Sequence, residues 1–283
     1  YLEACRCDAM VLSPWSQIAG WRLELTLFDW MHCGPLGVCR ELVGSALCTM
    51  LTDRFWGQRS GNEQLQRCAT EMQGWLKDRG ITAFRCRLTL EALQKSGQDY
   101  PSLPSWVKAV HAKWYAFFLA AKAKSCCTGS VESKLRAVCL WTYCSCTYEM
   151  ENTGLFFTPS AATRWADEMN LFLLSYQKLA NLARTRRLHV WKILPKAHVL
   201  DHVEKETRRT RRNPWKFACF GCEDFLGKLK RVGLRCHGGT MPSALIAKVQ
   251  MHTAVRWHRR RQTGRFAASR YATAVDGREA TRE

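Results

Sequence analysis

The sequence predicts an α/β chain in which helix dominates, and three observations carry that reading. Residues 21–28 (Trp-Arg-Leu-Glu-Leu-Thr-Leu-Phe) alternate apolar and polar side chains, the two-residue period of a half-buried strand. Residues 35–52 change to steps of three and four, with Leu36, Val38, Cys39, Leu42, Val43, Ala46, Leu47, Met50 and Leu51 recurring on one side, as in a helix. The middle of the chain keeps that helical spacing almost throughout.

Each element follows from its own residues. Pro35 suits the first turn of the helix over 35–52, because its missing N–H has no partner there in any case. Gln64 to Arg79 carries Leu65, Cys68, Met72, Trp75 and Leu76 at helical spacing. Residues 104–124 and 131–148 predict two more helices. Asn170 to Leu188 predicts another, with Leu171, Phe172, Leu174, Tyr176, Leu179 and Leu182. Loops are marked by Ser96-Gly97-Gln98, Pro101, Pro104, Thr128-Gly129-Ser130 and Thr158-Pro159-Ser160. Pro195 interrupts the chain, and Ala197 to Arg208 resumes as helix. Residues 213–221 suit a turn and a short extended piece. Glu223 to Cys236 is a helix carrying Phe225, Leu226, Leu229 and Val232, stopped by Gly238-Gly239. Beyond Trp257 the apolar pattern fades, and Arg265 to Glu283 is expected to be a mobile tail.

Composition removes several classes. With 47% hydrophobic residues the chain can bury enough surface to offset its chain entropy, so it is not a disordered protein. Its most apolar stretch, Trp106 to Ala123, is interrupted by Lys108, His111, Lys113 and Lys122, so no membrane span and no membrane partner are expected. The chain starts at Tyr1 without a basic segment leading into an apolar one, which predicts an incomplete chain with no secretory signal. Fifteen cysteines, an odd number, then fit reduced thiols in an intracellular compartment better than a disulfide framework. Cys39, Cys48 and Cys139 sit among apolar neighbours, as small core residues do. Cys219, Cys222, Cys236 and His237 offer zinc-type ligands, but adjacent Cys236 and His237 rarely reach one tetrahedral ion together; zinc is not expected there.

The charge is uneven. Of a formal +19, residues 184–283 hold 24 Lys/Arg against 8 Asp/Glu, a net of +16. The runs are Arg184 to Arg187, Arg208-Arg209-Thr210-Arg211-Arg212, Lys228-Leu229-Lys230-Arg231 and Arg256 to Arg261. A clustered basic stripe is the electrostatic footprint of a nucleic-acid binder, since guanidinium forks match phosphate.

Three constellations carry chemistry. Asp29 follows the predicted strand and precedes a helix, a common place for a functional acid in an α/β sheet. In Pro195-Lys196-Ala197-His198-Val199-Leu200-Asp201-His202, the two histidines share a helix face, close to the inverted zinc-protease pattern but with Asp for Glu; a zinc hydrolase is a remote alternative. In Phe220 to Lys230, five residues separate Gly221 from Gly227 and Leu229 stands where a phosphate loop needs Ser or Thr. A P-loop is thereby excluded. What remains is Glu223-Asp224 at a helix start beside Lys228, Lys230 and Arg231.

In this order the segments resemble the catalytic core of CACTA-type DDE/D transposases. Asp29-Trp30-Met31-His32 followed by Leu36-Gly37-Val38 is similar to that family's middle block, with three intervening residues instead of four. Ser13-Pro14-Trp15 is of the kind that precedes it. Pro195, Lys196, His198 and His202 match a later block. Phe220, Glu223, Asp224, Phe225, Gly227, Lys228, Leu229 and Lys230 match the last. The resemblance implies an α/β remnant of an RNase H-like core with a large, mostly α-helical insertion. It divides the chain into a partial core over 1–55, the insertion over 56–190, the end of the core over 191–255 and a basic mobile tail over 256–283. It implies Asp29 and Glu223 as catalytic carboxylates holding Mg²⁺ or Mn²⁺ for two-metal phosphoryl transfer on DNA. His32, His198 and His202 would support them. Lys228, Lys230, Arg231, Arg208, Arg209, Arg211 and Arg212 would bind nucleic acid. The family's first Asp has no counterpart, since Asp8 lies too close to Asp29, so the chain alone is expected to be inactive. The alternative is a non-enzymatic DNA- or RNA-binding protein derived from such an element. DNA is the expected partner, self-association into a homo-oligomer a further expectation, and the nucleus or another intracellular compartment the expected location.

Overall fold

The computed structural model describes residues 18–19, 27–93, 99–125, 129–236, 239 and 241–262. It is built from helices: α1 (Trp30–Cys33), α2 (Cys39–Thr52), α3 (Gly61–Lys77), α4 (Leu90–Leu93), α5 (Ala109–Ala123), α6 (Val131–Asn152), α7 (Pro159–Thr185), α8 (Pro195–Thr210), α9 (Phe220–Gly233) and α10 (Met241–Gln262). A π turn over Gly34–Val38 joins α1 to α2, and a 3₁₀ turn over Pro214–Phe217 follows α8.

The α/β expectation is corrected here. No sheet forms among the described residues; the one bridge is an isolated antiparallel pairing of Phe156 with Arg212. No RNase H-like α/β core is visible among the described residues. The strand expected over 21–28 falls mostly outside the described residues, as do Asp8, Ser13-Pro14-Trp15 and residues 263–283. Leu27 and Phe28 are irregular, and Asp29 turns the chain into a helix where a strand end was expected.

Local chemistry sets the helix starts. Ser60 and Glu63 form a reciprocal capping box at α3. Ser130 caps α6 through Ser133 N–H, and Thr158 caps α7 through Ala161 N–H at 3.2 Å, with Pro159 in the first turn. Thr158-Pro159-Ser160, expected as a loop, is therefore the start of the longest helix. α10 also went unexpected, because its apolar residues are diluted by basic ones.

The chain divides into two units, Tyr1–Cys219 and Phe220–Glu283. In the first, α6 and α7 form the central hairpin, α5 packs on α6, α2 on α5, and α8 on α7. Cys139 and Cys146, two turns apart on α6, point their thiols at the α7 carbonyls of Phe172 and Trp165, and Trp165 Nε1 donates back to Cys146 O at 3.1 Å. Small side chains at this seam let the two helices approach closely. An aromatic string runs from Phe157 through Trp165, Trp30, Tyr143, Phe172 and Tyr176 to Trp191, with successive ring centroids 5.7–6.3 Å apart. Trp30 is fully buried in it, and truncating such a residue costs about 3–5 kcal/mol. That anchor fixes the position of its neighbour, Asp29. A Cβ on Gly44 would stand 2.6 Å from the Pro101 backbone, so α2 needs glycine where this loop presses on it. Asn213, fully buried, donates to the carbonyls of Met150, Thr153 and Gly154, closing the segment after α8 onto the end of α6.

Candidate nucleic-acid interface

Two of the segments singled out in the sequence meet within the first unit. Asp29 caps α1: Oδ1 accepts from Met31 N at 3.2 Å, and Oδ2 accepts from His32 N at 3.2 Å and pairs with His32 Nδ1. The same Oδ1 accepts from Cys219 N at 2.8 Å, across 190 residues. Phe28 stacks on His202 of α8 with ring centroids 5.9 Å apart. Lys196 lies over Gly37, where an added Cβ would come within 2.7 Å of the lysine Cδ. The Asp29–Val38 stretch, the Pro195–His202 stretch and Cys219 are thus one neighbourhood, which nothing in their separate spacings revealed. A cavity of about 350 Å³ opens beside it, lined by Phe28, His202, Lys205, Arg209 and Phe217 among others.

Electrostatics follow from these contacts. Burial by itself would raise the Asp29 carboxyl, but the hydrogen bonds from Cys219, His32 and Met31 outweigh it and hold the group below its usual range. The neighbouring Cys33 thiol is pushed up by burial, against the pull of the Lys196 cation and helped by Asp29. A carboxylate offers about four lone-pair sites, and four donors already occupy those of Asp29. Asp29 therefore does not fit as a divalent-metal ligand. It is the clamp that ties the start of α1 to the end of the first unit.

The histidines expected to support catalysis divide. His32 is held by Asp29. His198 and His202 sit one turn apart on α8, with their Nε2 atoms 3.0 Å from each other. Asp201, the acid of the zinc-hydrolase alternative, is paired with Lys205 at 2.7 Å. Among the described residues no group of three or more His, Cys, Asp or Glu side chains is placed to hold a metal. Cys222 is exposed, while His237 lies outside the described residues.

The basic residues divide too. Arg208 bonds Asp167 at 2.8 Å and Glu204 at 2.9 Å, and Arg209 forks onto Glu206. Arg212 lies 4.0 Å from Glu206, and Arg211 turns the chain out of α8 at φ 61°. The 208–212 run is thus largely matched by carboxylates of its own unit. The second unit differs. Glu223 and Asp224 are exposed in the first turn of α9, where acids favour the helix dipole; Asp224 pairs with Lys228. Lys230, Arg231 and Arg235 are exposed and form no ion pair among the described residues. Lys228, Arg231 and Arg235 border a groove of about 230 Å³ floored by Leu229, Val232 and Val249 of α9 and α10. Lys228 and Arg231 are three residues apart on one face of α9, and Arg235 follows two residues beyond its end.

Comparison with protein-family models, with curated proteins and with solved structures finds no match. No helix among the described residues is long and apolar enough to cross a membrane.

Proposed function

We propose that this chain is a transposable-element-derived, transposase-like protein that binds DNA without cutting it, through the basic helices of its C-terminal unit. One observation carries the reading: residues 225–275 hold eleven Lys/Arg and no Asp or Glu, and Lys230 and Arg231 of that set stand exposed on α9. Phosphate charge would supply most of the affinity, so binding is salt-dependent and only weakly sequence-specific. The reading places the protein with DNA, in the nucleus or an equivalent intracellular compartment. The meeting of the Asp29–Val38 and Pro195–His202 stretches is consistent with descent from a transposase. The saturated Asp29 carboxylate favours binding over Mg²⁺-dependent strand transfer.

The test is an electrophoretic shift assay on a 30-base-pair duplex, paired with a cleavage assay in Mg²⁺ or Mn²⁺. Binding that survives Glu223→Gln, with no cleavage, supports the proposal. Divalent-dependent cleavage abolished by Glu223→Gln would overturn it in favour of phosphoryl transfer.

A further inference from the structure

A cavity of about 1240 Å³ lies in the first unit, between α2, α3, α6 and the end of α7. Three of the four non-glycine residues with positive φ among the described residues line it: Arg54 at 56°, Arg187 at 55° and Trp191 at 61°. Side chains rarely adopt that backbone, and such residues gather at ligand sites. Trp191 is held there by its N–H donating to the buried Ser45 Oγ at 2.8 Å.

The lining has three kinds of surface. Its charge is positive: Arg136 is matched by Asp53 at 2.7 Å and Arg186 by Glu132 at 2.5 Å, while among the described residues Arg187 and Arg54, whose Nη1 donates to Arg59 O at 3.1 Å, have no carboxylate partner. Its floor is apolar, including Leu179, Leu182 and Trp191. Its third surface is Gln64, 1% exposed, whose Nε2 donates to Arg59 O while Oε1 has no partner among the described residues. A buried acceptor left unmatched costs stability unless something donates to it.

We infer that this cavity is a nucleotide site: an anionic phosphate meets Arg187 and Arg54, a planar base lies on the apolar floor, and an N–H of the base donates to Gln64 Oε1. Inorganic anions lack the planar donor, and apolar ligands lack the charge. The volume exceeds the 300–1,000 Å³ or so usual for small-molecule pockets, so it accommodates either a free nucleotide or a short single-stranded segment. All of its lining residues belong to the first unit.

The experiment is fluorescence anisotropy of the full chain with a labelled single-stranded pentanucleotide, competed by AMP, by ribose 5-phosphate and by inorganic phosphate. Displacement by AMP but not by ribose 5-phosphate or phosphate is expected. Arg187→Glu is expected to weaken binding about tenfold, the scale of one charge-assisted contact. Arg187→Gly, which relieves the backbone, is expected to weaken it as much while leaving the fold at least as stable. Gln64→Met is expected to weaken it about threefold with the melting temperature held. An oligonucleotide bound more tightly than AMP identifies the strand as the ligand's source, and the reverse identifies free nucleotide; both support the site. Absence of binding, equal displacement by inorganic phosphate, or binding indifferent to both Arg187 variants would overturn it. Lys230→Glu/Arg231→Glu should leave AMP binding unchanged, so failure of the DNA proposal does not mimic failure here.

Discussion

Replacing Asp29 tests whether this carboxylate is a structural clamp. Asp29→Ala removes the acceptor for Met31 N–H, His32 N–H and the His32 ring, and leaves Cys219 N–H without its partner. Loss of an N-cap costs about 1 kcal/mol, and a backbone donor orphaned from a charged acceptor about 1–2 kcal/mol more, for a total of about 2–3 kcal/mol. For a unit of this size that lowers the melting temperature by roughly 4–12 °C. Asn keeps one acceptor oxygen, so Asp29→Asn should cost about 1 kcal/mol, half or less of the Ala effect. The pH dependence has a definite sign. The folded state holds the carboxyl below its ordinary value of 3.8, so the stabilisation is present above that value and is lost as pH falls through the lower folded-state value. The gap between wild type and Asp29→Asn should therefore close in that acid window. Urea unfolding followed by circular dichroism at pH 7 and in that window measures it. An Asp29→Asn protein as stable as wild type at pH 7, with Mg²⁺ raising the melting temperature of wild type alone, would refute the clamp and restore a metal role.

Other expectations follow from buried side chains. Ser45→Ala leaves the Trp191 N–H unmatched and should cost about 1–3 kcal/mol in urea unfolding. Lys113 is 3% exposed and pairs with Glu151 at 2.6 Å. Glu151→Gln, which strands the buried cation, should cost about 3–5 kcal/mol, clearly more than Lys113→Met in the same assay. Burial pushes the Cys39 thiol up to about 12 and the Cys48 and Cys86 thiols up to about 11. At pH 8 a thiol reagent should modify exposed Cys222 first, half-buried Cys48 more slowly, and buried Cys39 and Cys86 only on unfolding; mass-mapped labelling checks the order.

Some of this was legible in the sequence because a single local rule governs it. The apolar steps of Leu42, Ala46 and Met50 specify α2 whatever surrounds them, and His198 and His202 share a face because α8 is helical. Other signals are ambiguous in one dimension. Thr158-Pro159-Ser160 is equally the chemistry of a loop and of a capped helix start, and only the Ala161 N–H at Thr158 decides. Asp29 sits where a strand-end acid and an N-cap look alike, and the partner that separates them, Cys219 N–H, is 190 residues away. The 208–212 run looked like a phosphate face, although Glu204 and Glu206 one turn earlier already signalled intrahelical pairing. Gln64 and Arg187 belong to no motif, and only the fold brings them to one cavity.

The central claim is that DNA is held electrostatically by the C-terminal unit. The most direct measurement is the affinity of the full chain for duplex DNA as a function of salt, compared with Lys230→Glu/Arg231→Glu. The expected result is a linear fall of log K with log salt. The slope should be shallower by about 2 in the variant, because each of the two side chains neutralises one phosphate in the wild type. A slope and affinity unchanged by the double substitution, or binding indifferent to salt, would contradict it.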